Sequence, residues 1–296
     1  MPHSRVAAHL IVGARAEPFL EALLESLAGC IDTLIVNDNA PGDSPHESTF
    51  AQSALAAEER LVIDRAPFVD FAAARNRCLE LHALHDAGTW VAFVDADEVH
   101  AAPVARIAEH LDRVPPEYDF VDGYTWHFFQ SFEYYTSIER RMAFFRYAPG
   151  LQWVGSVHER LEGLRGKRLA LPYVYGHYGH ALSVRRHAEK GRHYSQLGAP
   201  GEILEETELA AVDPRVYFKT EYPRLLRFRG DHPPAVRSTI ARLTADYRQE
   251  YELTSQIVAE VQTPTLRAIN AFRRFNYEQR WRLRAVNPLA RRLIAI

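Results

Sequence analysis

The chain has 296 residues, with 47% hydrophobic residues, 25% charged residues and a formal net charge of −3. That is enough apolar material for a large buried core, and it excludes a collagenous, coiled-coil or disordered chain. The slightly acidic balance speaks against a protein that coats nucleic acid, and no nucleic-acid partner is expected.

In chain order, Val6–Val12 reads as a strand. Glu17–Leu27 reads as a helix whose Phe19, Leu20, Leu23, Leu24 and Leu27 are spaced for one buried face. Thr33–Asn37 is a short strand that runs into polar residues, Pro41–Ser48 a turn-rich loop, Ser48–Arg60 an alanine-rich helix and Leu61–Asp64 a third strand. Asp70 is placed to cap a helix from Phe71 to about His85. Trp90–Val94 follows as a fourth strand and Pro103–Val114 as a fourth helix. The alternation predicts an α/β fold with an open, mostly parallel sheet covered by helices on both faces. Ligands of such sheets bind beyond the carboxyl ends of the strands.

Aromatic residues crowd the stretch from Tyr118 to Tyr147, where antiparallel strands are expected. From about Ser183 the pattern is mostly helical, with Arg237–Val261 the longest candidate helix. A boundary near residues 198 to 201 separates residues 1–198 from a C-terminal helical region, residues 199–296.

Cys30 and Cys78 are too few for a disulfide framework or a zinc site and read as buried thiols. The apolar stretch from Val6 to Gly13 is too short for a signal peptide, and no run approaches the roughly 20 apolar residues of a membrane span. The expected location is the cytoplasm, with peripheral contact at the inner face of the membrane as an extension of it. Between Thr265 and Ile296 eight arginines face the single acid Glu278, so this tail carries +7 and the rest of the chain −10. Its Phe272, Phe275, Trp281 and Leu283 suit a helix lying on an anionic membrane, where a lipid-linked molecule would be met. A helix packed on the rest of the chain, or an oligomer contact, suits them equally, and Pro288 interrupts any single long helix.

The strongest chemical signal is the stretch from Val91 to Val99, where an apolar strand ends in Asp95, Asp97 and Glu98. Side chains two apart on extended backbone point the same way, so Asp95 and Asp97 can face one ligand. Two hard oxygen donors at a strand end suit Mg2+ or Mn2+, above all with a phosphate as further ligand. Asp97 and Glu98 would also serve as caps for the helix near Pro103. Asn37, Asp38 and Asn39 repeat the theme after the second strand, as ribose or base contacts or as ordinary turn chemistry.

Further segments stand in order with these: Glu17-Pro-Phe-Leu, Ile31-Asp-Thr-Leu-Ile-Val-Asn-Asp, Phe71-Ala-Ala-Ala-Arg75-Asn76, Gly155-Ser-Val-His158-Glu159 and His177-Tyr-Gly-His180, with Lys190 following. Over about residues 5 to 197 the chain resembles a family-2 glycosyltransferase of GT-A fold. The resemblance implies a catalytic domain in residues 1–198, with a nucleotide-sugar half (about 1–100) and an acceptor half (about 101–198). It implies that Asp38, Arg75, Asn76 and Lys190 meet a nucleotide diphosphate sugar, with UDP the expected nucleotide. Asp95 and Asp97 would hold its diphosphate through Mn2+ or Mg2+, with His177 as a late metal ligand. Glu159 would be the base of an inverting transfer to a saccharide, lipid-linked or small-molecule acceptor, with Trp153 and His158 near that acceptor.

The family's usual turn after the second strand is replaced here by Asp38-Asn-Ala-Pro-Gly-Asp43-Ser. As a helix, the run Arg185, Arg186, Lys190 and Arg192 would be a solvated face, or a segment closing over the diphosphate. Three other readings stand beside the resemblance. An Asp-x-Asp phosphohydrolase would carry its pair after the first strand. A nucleotidyltransferase would show a glycine-rich basic loop where Gly13-Ala-Arg-Ala-Glu17 stands. The third is a nucleotide-sugar binding module without catalysis.

Overall fold

The structure is a computed structural model that describes residues 4–101, 107–198 and 205–285. Its first half alternates as the apolar spacing predicts: β1 (Val6–Val12), α1 (Leu20–Ala28), β2 (Thr33–Asp38), α2 (Glu47–Ala51), α3 (Ala54–Ala57), β3 (Leu61–Asp64), α4 (Phe71–His85) and β4 (Trp90–Phe93). Asp70 caps α4 by accepting the Ala73 N–H at 2.7 Å. The helix expected over Ser48–Arg60 is instead two short helices. Ser53 lies between them in extended conformation, its hydroxyl accepting the Ala56 N–H, so a serine that prefers capping starts a new helix.

A short strand β5 (Glu98–His100) and α5 (Ile107–Asp112) follow, the start of the expected fourth helix lying outside the described residues. The aromatic stretch forms two long antiparallel strands, β6 (Tyr118–Phe129) and β7 (Tyr134–Arg146). A small hairpin, β8 (Gln152–Val154) with β9 (Arg160–Glu162), leads into β10 (Lys167–His180) and α6 (Val184–Gln196). The C-terminal region adds α7 (Glu206–Ala210), α8 (Pro214–Tyr217), β11 (Leu226–Arg227), α9 (Arg237–Asp246), α10 (Arg248–Val261) and α11 (Pro264–Ala285). The helix expected over Arg237–Val261 is therefore two, divided at Tyr247.

The central sheet runs β3-β2-β1-β4-β7-β6-β10-β5, with β11 on the outer end of β7. Pairing is parallel from β3 to β4 and again between β6 and β10; β7 and β5 run antiparallel to their neighbours. The α/β class and the GT-A-like arrangement with a helical C-terminal segment are thus observed. The parallel half reads as near-continuous apolar strands because both its faces are covered, with Val6, Ala7, Ala8 and Leu10 all inaccessible to solvent. The C-terminal helices share a hydrophobic cluster with the sheet that joins Phe19, Val99 and Tyr178 to Val236, Leu243 and Tyr251. Cys30 and Cys78 are free and buried, as expected. Among the described residues no helix is long and apolar enough to cross a membrane.

Candidate active site

β1 pairs in parallel with β2 on one side and with β4 on the other, so the chain leaves it in one direction and returns in the opposite one. The carboxyl ends of β1 and β4 therefore open onto a crevice at the switch point of the sheet, where α/β folds bind ligands. Asp95 and Asp97 follow β4 directly into this crevice, Glu17 follows β1, and Asp38 ends β2.

Asp97 is placed by strand pairing further along the chain. β5 pairs antiparallel with β10, setting Glu98 opposite His177, and the Tyr178 N–H donates to the Asp97 carbonyl at 2.8 Å. Gly179 leaves the space that the Asp97 carboxylate occupies, since a Cβ there would collide with its Oδ2. Lys190, from α6, donates to Oδ2 at 3.2 Å. Oδ1 is buried without a hydrogen-bond partner and stands 3.3 Å from His177 Nε2, while His177 Nδ1 is buried and unpartnered as well. Burial works to raise the Asp97 pKa, but His177 and Lys190 outweigh it and hold the carboxyl below its usual range. Burial pushes the His177 imidazole down to about 4, so at neutral pH it is uncharged and offers lone-pair nitrogen.

Asp95 is held differently. Arg75, projecting from α4 and almost fully buried, donates to the Asp95 carboxylate, to Glu159 Oε1 at 3.1 Å and to the Val94 carbonyl at 3.2 Å. Its guanidinium also lies 4.1 Å from the centre of the Phe93 ring. Arg141 on β7 approaches Asp95 from the other side at 3.8 Å and Glu98 at 3.4 Å. Burial acts against ionised Asp95, yet Arg75 and Arg141 keep its pKa below the ordinary value. Glu98, buried and beside Asp95, is pushed well above the carboxylate range while its Oε2 accepts the Asp95 N–H.

The structure brings Asp95, Asp97, Arg75, Glu159, His177 and Lys190 together. The run containing Lys190 is not simply a solvated face: Lys190 reaches Asp97, and Arg186 donates to the Ala16 carbonyl and lies 3.5 Å from Glu17. Asp38 is buried and accepts the Ala40 N–H at 3.1 Å. Two expected contacts fall elsewhere. Asn76 spends its amide on the hairpin, donating to the Trp153 carbonyl at 2.9 Å and accepting the Trp153 N–H at 2.8 Å, so it pins β8. The Trp153 ring is buried and stacked on Phe93 with centroids 5.0 Å apart. His158 is exposed on the β8–β9 turn, with a left-handed φ of 56°.

Glu98 stands in the acidic stretch after β4, and Glu17 and Gly179 stand in the segments that carry the resemblance, without a role assigned from sequence; Arg141 lies in none of them. Glu17 is pushed up to about 7, mainly by burial and then by Asp97. Its position after the first strand was the available signal.

Among the described residues no group of three or more His, Cys, Asp and Glu side chains forms a metal cluster. The fit to a divalent cation rests on two donors: the orphaned Asp97 Oδ1 and the neutral His177 Nε2, 3.3 Å apart. Ligand atoms at about 2.1 Å from one cation, roughly at right angles, stand about 3 Å from each other.

No family model matches the chain, and no curated protein matches it. Among solved structures it is similar to the mannosyltransferase PcManGT from Pyrobaculum calidifontis in complex with GDP-Man and Mn2+, at 14% identity and a TM-score of 0.42 over 97% of this chain and 88% of that one. It is similar to S. aureus TarS 1-349 at 13% identity and a TM-score of 0.41, over 95% of this chain and 90% of that one. GalNAc-T7 with UDP, GalNAc and Mn2+ is a further likeness, at 11% identity and a TM-score of 0.39 over 71% of this chain and 54% of that one. All three are distant.

Proposed function

We propose that the protein is a metal-dependent glycosyltransferase that moves a sugar from a nucleotide diphosphate sugar, expected to be a UDP-sugar, to an acceptor hydroxyl with inversion. The observation that carries this reading is Asp97 at the switch point, with a buried, unpartnered Oδ1 facing a neutral imidazole nitrogen and a lysine on its other oxygen. Asp97 and His177 would hold the cation, with Asp95 beside them. Mn2+ or Mg2+ bound there supplies positive charge against the diphosphate.

The residues of the chain divide the remaining work. Lys190 adds a second positive charge where the leaving diphosphate develops its own negative charge. Asp38, at the end of β2, is assigned to the ribose or base of the donor. Arg75 clasps Asp95 and Glu159 in one geometry, so the carboxylates of the donor side and the acceptor side are set by a single buried side chain. Glu159 takes the proton of the acceptor hydroxyl as its oxygen attacks the anomeric carbon. The bond from that carbon to the diphosphate oxygen breaks, and its electron pair leaves with the nucleoside diphosphate. One displacement with one base inverts the anomeric centre. The acceptor class is a saccharide, lipid-linked or small-molecule hydroxyl.

Calorimetric titration with UDP, GDP, CDP and dTDP, with Mn2+ and then with EDTA, tests the donor site. Binding of one nucleotide that EDTA abolishes is expected; no nucleotide binding with Mn2+ present would overturn the reading.

A further inference from the structure

α11 is turned the opposite way from an ordinary surface helix. Two of its polar side chains face the protein: Asn270 is buried and donates to the Pro223 carbonyl at 2.9 Å, and Arg273 donates to the Arg224 carbonyl at 3.1 Å. Tyr277 packs into the cluster shared with the sheet. Its large apolar side chains face outward, with Ile269 49% exposed, Phe272 66% and Phe275 57%. Spacing at i, i+3 and i+6 puts these three on one side of the helix, with the exposed Ala268 and Ala271 between them. From Ala268 to Asn276 this outward arc carries no charged side chain.

An apolar face of this kind, uninterrupted by charge and flanked by arginines, is built to be covered. Charge identifies the cover. The segment from Thr265 to Ile296 carries +7 through eight arginines and one glutamate, and the rest of the chain carries −10. A second copy docking face to face would bury the rings but would bring a second +7 against the first. A nucleic acid would answer the charge and leave the aliphatic and aromatic side chains without an apolar partner. An anionic bilayer surface answers both, since its headgroups attract the arginines and its acyl boundary accepts the rings.

We propose that α11 is a monotopic membrane-docking helix that seats Ile269, Phe272 and Phe275 in the acyl boundary of an anionic lipid surface. The inference does not rest on the sugar-transfer reading, and its test reads no catalysis.

The full-length protein is sedimented with vesicles of phosphatidylcholine alone and with vesicles containing one-third phosphatidylglycerol. Phe272→Ser/Phe275→Ser is compared with wild type, circular dichroism and melting temperature being recorded for both. Binding is expected to the anionic vesicles only, to fall on raising salt from 0.05 to 0.5 M, and to weaken about tenfold or more in the double variant. Ile269→Ser, a milder change on the same face, should weaken it in the same direction. Three results would overturn the proposal. One is an absence of binding to anionic vesicles. Another is binding that the folded double variant retains. The last is lipid-free dimerisation, or nuclease-sensitive retention of RNA, that the double variant abolishes.

Discussion

Asp95 and Asp97 are two residues apart at the end of one strand, yet the protein holds them by different means. Asp95 is gripped by planar guanidinium groups on packed elements, Arg75 from α4 and Arg141 from β7, with Glu98 bonded to its backbone. Asp97 has a flexible lysine on one oxygen, and a buried, unpartnered second oxygen beside a neutral histidine. A carboxylate whose charge is fully answered within the protein sets geometry. One whose partners are movable or uncharged is poised for something from outside. In the proposed function, accordingly, the Asp95 side is framework and the Asp97 side takes the ligand.

Breaking the framework should have the largest effect. Arg75→Met leaves Asp95 and Glu159 without their shared cation and is expected to cost about 3–5 kcal/mol of stability, read as a lower denaturant midpoint. Activity should go with it. Asp97→Asn is the converse: the fold should survive, with metal-dependent nucleotide affinity reduced about a hundredfold, near 2.7 kcal/mol. If Asp97→Asn unfolded the protein and Arg75→Met spared it, the assignment would be reversed.

Gly179→Ala sharpens the comparison without touching a charge. The added methyl must displace the Asp97 carboxylate, and metal-dependent binding should weaken about tenfold, the lower end of overpacking costs. Unchanged affinity would show that Asp97 is not held where nucleotide binding needs it.

A further effect concerns pH. In metal-free protein the Glu17 carboxyl lies near 7 against 4.5 for an ordinary glutamate. The folded chain therefore binds this proton more tightly than the unfolded one. The stability it contributes is complete below pH 4.5 and is lost as pH rises through 7. Glu17→Gln should accordingly be more stable than wild type at pH 8, by about 3 kcal/mol, with the gap closing toward pH 4.5. Because Asp97 helps to raise Glu17, the gap should shrink in an Asp97→Asn background; an undiminished gap would uncouple the two groups.

The parallel half was legible because each element carries its own local signal. β1 is an apolar run interrupted only by His9, and α4 begins at an aspartate that does cap it. The long strand β10 carries no such signal, since Pro172, Gly176 and Gly179 interrupt its pattern. Its pairing with β6 shifts register between Ala170 and Val174. Yet β10 is what delivers His177 and seats Asp97. The acidic pair itself could be read from spacing, whereas its division of labour could not, because Arg75, Arg141, His177 and Lys190 arrive from distant parts of the chain. Asn76 and Trp153 show the reverse: they lie beside the site in sequence pattern, and packing turns both inward to hold a hairpin. In α11, composition marked a basic aromatic helix, but only tertiary packing shows that Asn270 and Arg273 face the protein and the phenyl rings do not.

The most direct test of the central claim is the electron paramagnetic resonance signal of free Mn2+, titrated with protein in the presence of UDP. Wild type should remove the free-ion signal stoichiometrically, and Asp97→Asn should leave it essentially intact at matched concentration. Equal depletion by wild type and folded Asp97→Asn would contradict the claim that Asp97 is the ligand-facing carboxylate.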